Sequence, residues 1–330
     1  MWFGALLLLF PFLAAKADDM ISTLMIGGAR IDVTIESGNG VPPQADVLRW
    51  VQWAAESVTV YYGRFPVPRL ELRVIPFGGS GVQHGQTWGR NGGLIRIRVG
   101  DKTTTAEFAE DWMLTHEMIH LAFPSMADEH HWIEEGISTY VEPIARIRAG
   151  HLKAQQMWSD LVRDMPKGLP EDGDEGLDHT HTWARTYWGG ALFCFVADVE
   201  IRKQTKNKKG LEDALRGILE AGGDIREDWD LEKTLETGDR AVGLKVLQKL
   251  YGEWKDRPVP VDLAALWKQL GVESAGGKVR MVDDAPLAAA RRAIVEGTKA
   301  GGSKQGGKGP AATARPAAVF AGRTAETRRK

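Results

Sequence analysis

The sequence predicts an α+β protein in which short strands are followed by a pair of buried helices and then by a helical C-terminal subdomain. Three observations predict it. Apolar and polar residues alternate in residues 24–36, 70–75 and 94–99, the period of a half-buried strand. A run His116-Glu117-Met118-Ile119-His120 falls late in a helical stretch at 105–123, and a second helical stretch beginning near His131 carries Glu134 and Glu135. From residue 208 to about 272, apolar residues recur at helical spacing and carry no chemical motif.

Taken in order, the chain opens on an apolar run, residues 1–17, too short for a comfortable membrane span. It ends in Ala15-Lys16-Ala17, a small-residue cleavage pattern, followed by Asp18-Asp19. That reads as a secretory signal peptide removed after Ala17; an uncleaved anchor is the other reading. No later segment is apolar enough to span a bilayer, so no stable membrane span is expected in the mature chain. A formal net charge of −2 over 330 residues argues against a nucleic-acid partner for the whole protein. The single cysteine, Cys194, lies in an apolar run and reads as a core residue, so no intrachain disulfide is expected. That fits the bacterial periplasm or cell envelope better than a eukaryotic secretory route.

Residues 24–36 read as one strand. Pro42-Pro43 opens a helix to about Tyr62, with Val47, Trp50, Val51, Ala54 and Val58 on one stripe. Residues 70–75 give a second strand. Residues 94–99 (Leu-Ile-Arg-Ile-Arg-Val) give a third, expected at the sheet's edge with Arg96 and Arg98 on one face. Such an edge either receives an extended peptide or is an ordinary edge protected by charge.

The helix at 105–123 carries the chemistry. Residues four apart on a helix share a side, so His116 and His120 aim two imidazoles at one point. That suits two corners of a tetrahedral zinc site, and Glu117 can reach a water held there. Phe108, Trp112, Met113, Leu114, Ile119 and Leu121 surround the pair, and two buried imidazoles need partners that a metal supplies. A third ligand must come from elsewhere. The longer pattern His-Glu-x-x-His-x-x-Gly-x-x-His fails at Phe123 and Met126. Pro124 stops the helix, Asp128 can cap the next, and two short-linked helices pack antiparallel. A carboxylate of the second helix, Glu134 or Glu135, is thereby brought over the histidines.

With these residues in view, the chain resembles the gluzincin metallopeptidases of the aminopeptidase N kind, including the smaller peptidase MA-like proteins. Their His-Glu-x-x-His is followed on the next helix by Trp-x-x-Glu-Gly-x-Ala/Ser, often continuing Thr-Tyr-Val-Glu. Here stand Trp132, Glu135, Gly136 and Ser138, then Thr139-Tyr140-Val141-Glu142. The resemblance implies a thermolysin-like zincin catalytic domain and assigns one Zn2+ ion to His116, His120 and Glu135. It leaves Glu134 a solvated neighbour and makes Glu117 the general base. Relatives carry a Tyr-x-x-Gly-Ala/Ser further on, and Tyr187 with Gly190-Ala191 matches it, 52 residues past Glu135. The resemblance makes Tyr187 the oxyanion donor; otherwise it is a core tyrosine. His84, His179 and His181 are candidate substrate contacts. The family's aminopeptidases also carry Gly-x-Met-Glu-Asn before the third strand, whose glutamate binds a free amine. Residues 85–93 hold no acidic residue, so a peptidase is expected without amine recognition being implied.

The expected divisions are a signal peptide at 1–17, the catalytic domain at 18–204, the helical subdomain at 205–296 and a disordered basic tail at 297–330. Pro143 is expected to kink or end the glutamate helix, a further helix runs to about 165, and the acidic run at 171–178 reads as a solvated loop. The expected activity is peptide-bond hydrolysis on a peptide or protein substrate. The alternative is an envelope binding or assembly protein that keeps a zinc site with little peptidase activity.

Overall fold

The computed structural model describes residues 18–298 except Asn39, Arg90, Asn91, Gly276 and Gly277. The signal segment expected at 1–17, and the tail expected from 297 apart from its first two residues, lie outside the described residues.

The N-terminal alternation is two strands rather than one. β1 (Met20–Ile26) and β2 (Ala29–Ile35) pair antiparallel, joined at Gly27-Gly28, whose φ values of 58° and 84° are the left-handed pair a two-residue hairpin turn requires. α1 (Gln44–Tyr62) follows and ends at Gly63, also left-handed (φ 83°). β3 (Arg69–Phe77), β4 (Val82–Trp88) and β5 (Leu94–Gly100) complete a mixed sheet of order β1-β2-β3-β5-β4. β3 runs parallel to both β2 and β5, and β4 antiparallel to β5.

This order corrects the edge assignment. β5 is interior, between β3 and β4, and the edge on that side is β4, a strand the alternation did not reveal. The alternation of β5 records its two faces: Ile95, Ile97 and Val99 join the core with the α1 stripe, while Arg96 and Arg98 face solvent.

The helical stretch at 105–123 is broken. α2 (Thr105–Glu110) starts from a Thr104/Glu107 capping box, and α3 (Met113–His120) starts afresh. Between them Asp111 is extended (ψ 134°), and its carboxylate accepts from Leu114 N at 3.1 Å and Trp50 Nε1 at 2.9 Å. α4 (His131–Arg148) does not end at Pro143 but continues through it. The lost backbone bond is offset by burial of Tyr140, Val141, Ile144 and Ala145 around it.

α5 (Ala154–Asp164) leads to the acidic run, which is not a solvated loop throughout. Asp174 pairs with Arg185 at 2.7 Å, both side chains 3% exposed, and Asp178 is a buried acceptor. A π-helical turn, Arg185–Gly189, then enters α6 (Gly190–Thr205). The C-terminal part comprises α7 (Leu211–Glu220), α8 (Leu231–Val242), α9 (Val246–Trp254) and α10 (Leu263–Leu270). A hairpin of β6 (Val272–Ala275) and β7 (Lys278–Met281) and a last helix, α11 (Ala288–Glu296), were not foreseen. Buried ion pairs fasten this part to the rest: Arg148 of α4 and Arg202 of α6 both reach Glu212 of α7. No helix among the described residues is long and apolar enough to cross a membrane.

Candidate metal centre

α3 packs between β4 and α4, which sets its two histidines against the first turns of α4. His116 Nε2 lies 3.0 Å from Glu135 Oε2, and His120 Nε2 lies 3.6 Å from the same oxygen. One donor atom from each of the three residues falls within 4.8 Å of the others. His116 and Glu135 are buried and His120 nearly so.

Glu134, the rival carboxylate, turns away. Its Oε1 accepts from Met126 N at 3.4 Å and its Oε2 lies 3.2 Å from His131 Nδ1. His131 also reaches Glu135, with Nε2 3.3 Å from Oε1. The two oxygens of Glu135 therefore face different partners.

The electrostatics suit a cation. Burial opposes ionisation of Glu135, but His120, His116 and His131 outweigh it and hold the carboxyl well below its usual range. Burial likewise opposes charge on His120, and Glu135 more than offsets that, raising it. Hydrogen bonds to Glu134 and Glu135 raise His131 to about 10. An ionised carboxylate and two imidazole nitrogens aimed at one point are a donor set that zinc accepts, so the residues fit that ion.

Glu117 is buried on the β4 side of α3. Thr87 Oγ1 donates to its Oε2 at 2.5 Å and lies 3.1 Å from its backbone carbonyl. Gly85 lies directly against the same carboxylate: a Cβ there would stand 2.4 Å from Oε1. The strand is bulged between Gln83 and Gln86, with His84 left-handed at φ 48°. The bulge carries the Gly85–Thr87 stretch past the carboxylate.

Tyr187 enters from the π-helical turn, an irregularity frequent at functional sites. Its ring lies nearly parallel to His116 (centroids 6.2 Å, 14°) and to Trp183 (5.5 Å, 23°). Burial, then the Glu135 carboxylate, push its phenol up, so it keeps its proton at neutral pH. What brings Tyr187 to Glu135 is a contact between two glycines. A Cβ on Gly136 would stand 2.3 Å from the Gly190 carbonyl carbon, and one on Gly190 would stand 2.0 Å from Trp132 O. α4 and the start of α6 therefore cross backbone to backbone.

Beneath the first turn of α4, Asp178 accepts from Trp132 Nε1 (2.8 Å) and Tyr251 Oη (2.7 Å) and lies 3.2 Å from His130 Nδ1. Of the other histidines considered, His84 and His181 are exposed, and His179 pairs with Asp256 at 2.9 Å. Thr87, Gly85, His131 and Asp178 escaped sequence reasoning. The signal for His131 was present: it stands four residues before Glu135, the spacing at which helix side chains meet.

No protein-family model matches the chain, and no curated protein matches it significantly. Solved structures do. The chain aligns with the aminopeptidase N family protein from Idiomarina loihiensis at a TM-score of 0.59 and 14% identity, over 78% of this chain and 50% of that one. The fold is shared with an aminopeptidase N family protein. A variant of the M1 zinc metallopeptidase from Deinococcus radiodurans aligns more loosely, at a TM-score of 0.49 and 14% identity, over 74% of this chain and 53% of that one. The chain thus spans about half the length of these solved proteins.

Proposed function

We propose that the chain is a zinc-dependent metallopeptidase of the gluzincin kind. In this reading residues 18–204 form a thermolysin-like zincin catalytic domain and residues 205–296 a helical subdomain. The observation that carries it is the convergence of His116, His120 and Glu135 within 4.8 Å, beside the buried Glu117 and under the Tyr187 ring. The fold shared with an aminopeptidase N family protein supports it. Export to a bacterial envelope belongs to the same proposal and rests on residues 1–17 and the single cysteine.

His116, His120 and Glu135 would hold one zinc ion, which when bound polarises a carbonyl and acidifies a water. Glu117 takes the proton of the attacking water and passes it to the departing amine nitrogen, acting as base and then acid. Thr87 keeps one Glu117 oxygen occupied, which directs the other towards the reacting water. The Tyr187 hydroxyl donates to the oxygen on which negative charge develops. Its raised pKa suits a donor that stays protonated and adds no charge.

The test is cleavage of an unbiased peptide mixture by the protein and by Glu117→Gln, with zinc measured on both. Both proteins are expected to hold one zinc, with turnover at least about 100-fold lower in the variant. The cut positions then separate endo- from exo-cleavage. Zinc in both and cutting by neither would overturn the peptidase reading.

A further inference from the structure

Glu135 is gripped from two sides. Its Oε2 faces His116 and His120, while Oε1 lies 3.3 Å from His131 Nε2. His131 is itself fixed at its other ring nitrogen, with Nδ1 3.2 Å from Glu134 Oε2. The three residues occupy the first turns of α4, with His131 three residues before Glu134 and four before Glu135. Both ring nitrogens face carboxylate oxygens, which can only accept, so both act as donors. His131 belongs to neither of the motifs that mark the centre.

We propose that His131 is a positioning residue for the metal centre: it donates to Glu135 Oε1 and so keeps Oε2 turned towards the two imidazoles. This rests on the zinc reading above.

The physical argument concerns one torsion. The last torsion of a glutamate is broad and roughly two-fold, so an untethered carboxylate presents either oxygen and samples a wide arc. A donor fixed on one oxygen leaves the other as the only one free to ligate. Glu134 completes the device, because it holds the His131 ring in the plane from which Nε2 reaches Glu135. The carboxylate that competed for the ligand role thus acts one step removed from it.

Magnitude follows from exposure. Losing a partner that orients a metal ligand costs about 10–100-fold in metal affinity. The His131 side chain is 55% exposed, so water screens its charge and competes for its donors. The expected effect therefore sits at the low end, about tenfold.

The experiment measures zinc affinity by competition with a chromogenic chelator on the full chain. The proteins are the wild type, His131→Phe, His131→Gln and the exposed control His179→Phe. Phenylalanine keeps a ring and removes both donors; glutamine restores an amide N–H near the position of Nε2. Zinc is expected to bind about tenfold more weakly to His131→Phe, to recover most of that loss in His131→Gln, and to be unchanged in His179→Phe. Thermal unfolding without zinc is run on each, and a His131→Phe melt close to wild type rules out a general loss of fold. Wild-type affinity in His131→Phe overturns the proposal. So does a glutamine variant as weak as phenylalanine, because donation would then not be the cause. A wild type that takes up no zinc refutes the metal reading itself and removes this proposal with it. That outcome is distinct from zinc bound equally by all four.

Discussion

Replacing Gly190 by alanine sets two effects against each other. In the interior of a helix alanine is favoured over glycine by about 0.5–1 kcal/mol, and Gly190 has ordinary helical angles (φ −63°), so intrinsic propensity predicts a gain. Packing predicts a loss. The new Cβ would stand 2.0 Å from Trp132 O, whereas ordinary contact begins at 3.4 Å, so α4 and α6 must part by about 1.4 Å. No rotamer relieves this, because the atom struck is backbone. Overpacking of this kind costs about 1–3 kcal/mol, and a backbone clash belongs at the upper end, leaving a net loss of about 2 kcal/mol. For a chain of 330 residues, with an unfolding entropy of about 2.1 cal/mol/K per residue, that lowers the melting temperature by about 3 °C. The site should suffer more than the fold. Tyr187 stands three residues before Gly190 and Glu135 one before Gly136, so the same displacement moves the phenol away from the carboxylate. A misplacement of about 1 Å can cost about 100-fold in rate. Zinc should remain, because all three donor residues lie on α3 and α4. The assay is thermal unfolding, zinc content and peptide turnover on one preparation. An unchanged or raised melting temperature would refute the reasoning, because it would mean the two helices do not touch through their backbones.

Two further predictions follow from the carboxylates. Glu135→Ala should lose zinc at stoichiometric loading while Glu134→Ala keeps it; equal zinc content in the two, measured by atomic absorption, would refute the assignment. Asp178→Ala strips a buried acceptor from Trp132, Tyr251 and His130, and stranded donors cost about 1–3 kcal/mol each. With water able to reach the cavity, a loss of about 3 kcal/mol in denaturant unfolding is expected, and one below about 1 kcal/mol would mean the three donors find other partners.

The convergence of the candidate site's residues was largely legible because its signals are local. His116 and His120 need only a helix to converge, and α3 supplies it even though the longer stretch is broken at Asp111. The third residue needed the turn of α4 against α3, which Pro124 and the short link made inferable. β4 was illegible for a physical reason. Its sequence Val-Gln-His-Gly-Gln-Thr-Trp has apolar residues only at its ends, and its bulge at His84–Gly85 breaks the two-residue period. The contacts it brings to Glu117 were lost with it. The β1–β2 hairpin was legible in principle, because Gly27-Gly28 between two alternating runs is a turn signal; a single alternation was read across it. The π-helical turn that presents Tyr187 depends on a crossing between segments 54 residues apart, Gly136 and Gly190, and no local pattern encodes that.

The charge arrangement explains why these side chains tolerate burial together. Glu117 and Glu135 are both under 9% exposed, and burying a carboxylate is costly unless it is paired. Glu117 has the Thr87 hydroxyl, a neutral donor. Glu135 has three imidazoles, and the groups that hold its pKa down are histidines rather than lysine or arginine. That choice matters. A lysine or arginine against Glu135 would satisfy it permanently and would repel a second cation. An imidazole can give up its proton and offer a lone pair at the same point. In the proposed zinc reading, His116 and His120 would offer lone pairs and Glu135, held ionised, the negative charge that a cation requires. His131, half exposed and turned to the far oxygen, can stay charged without standing between the donors. In the zinc reading proposed above, a proton and a metal ion would compete for one place, while the histidines around Glu135 hold its carboxyl ionised.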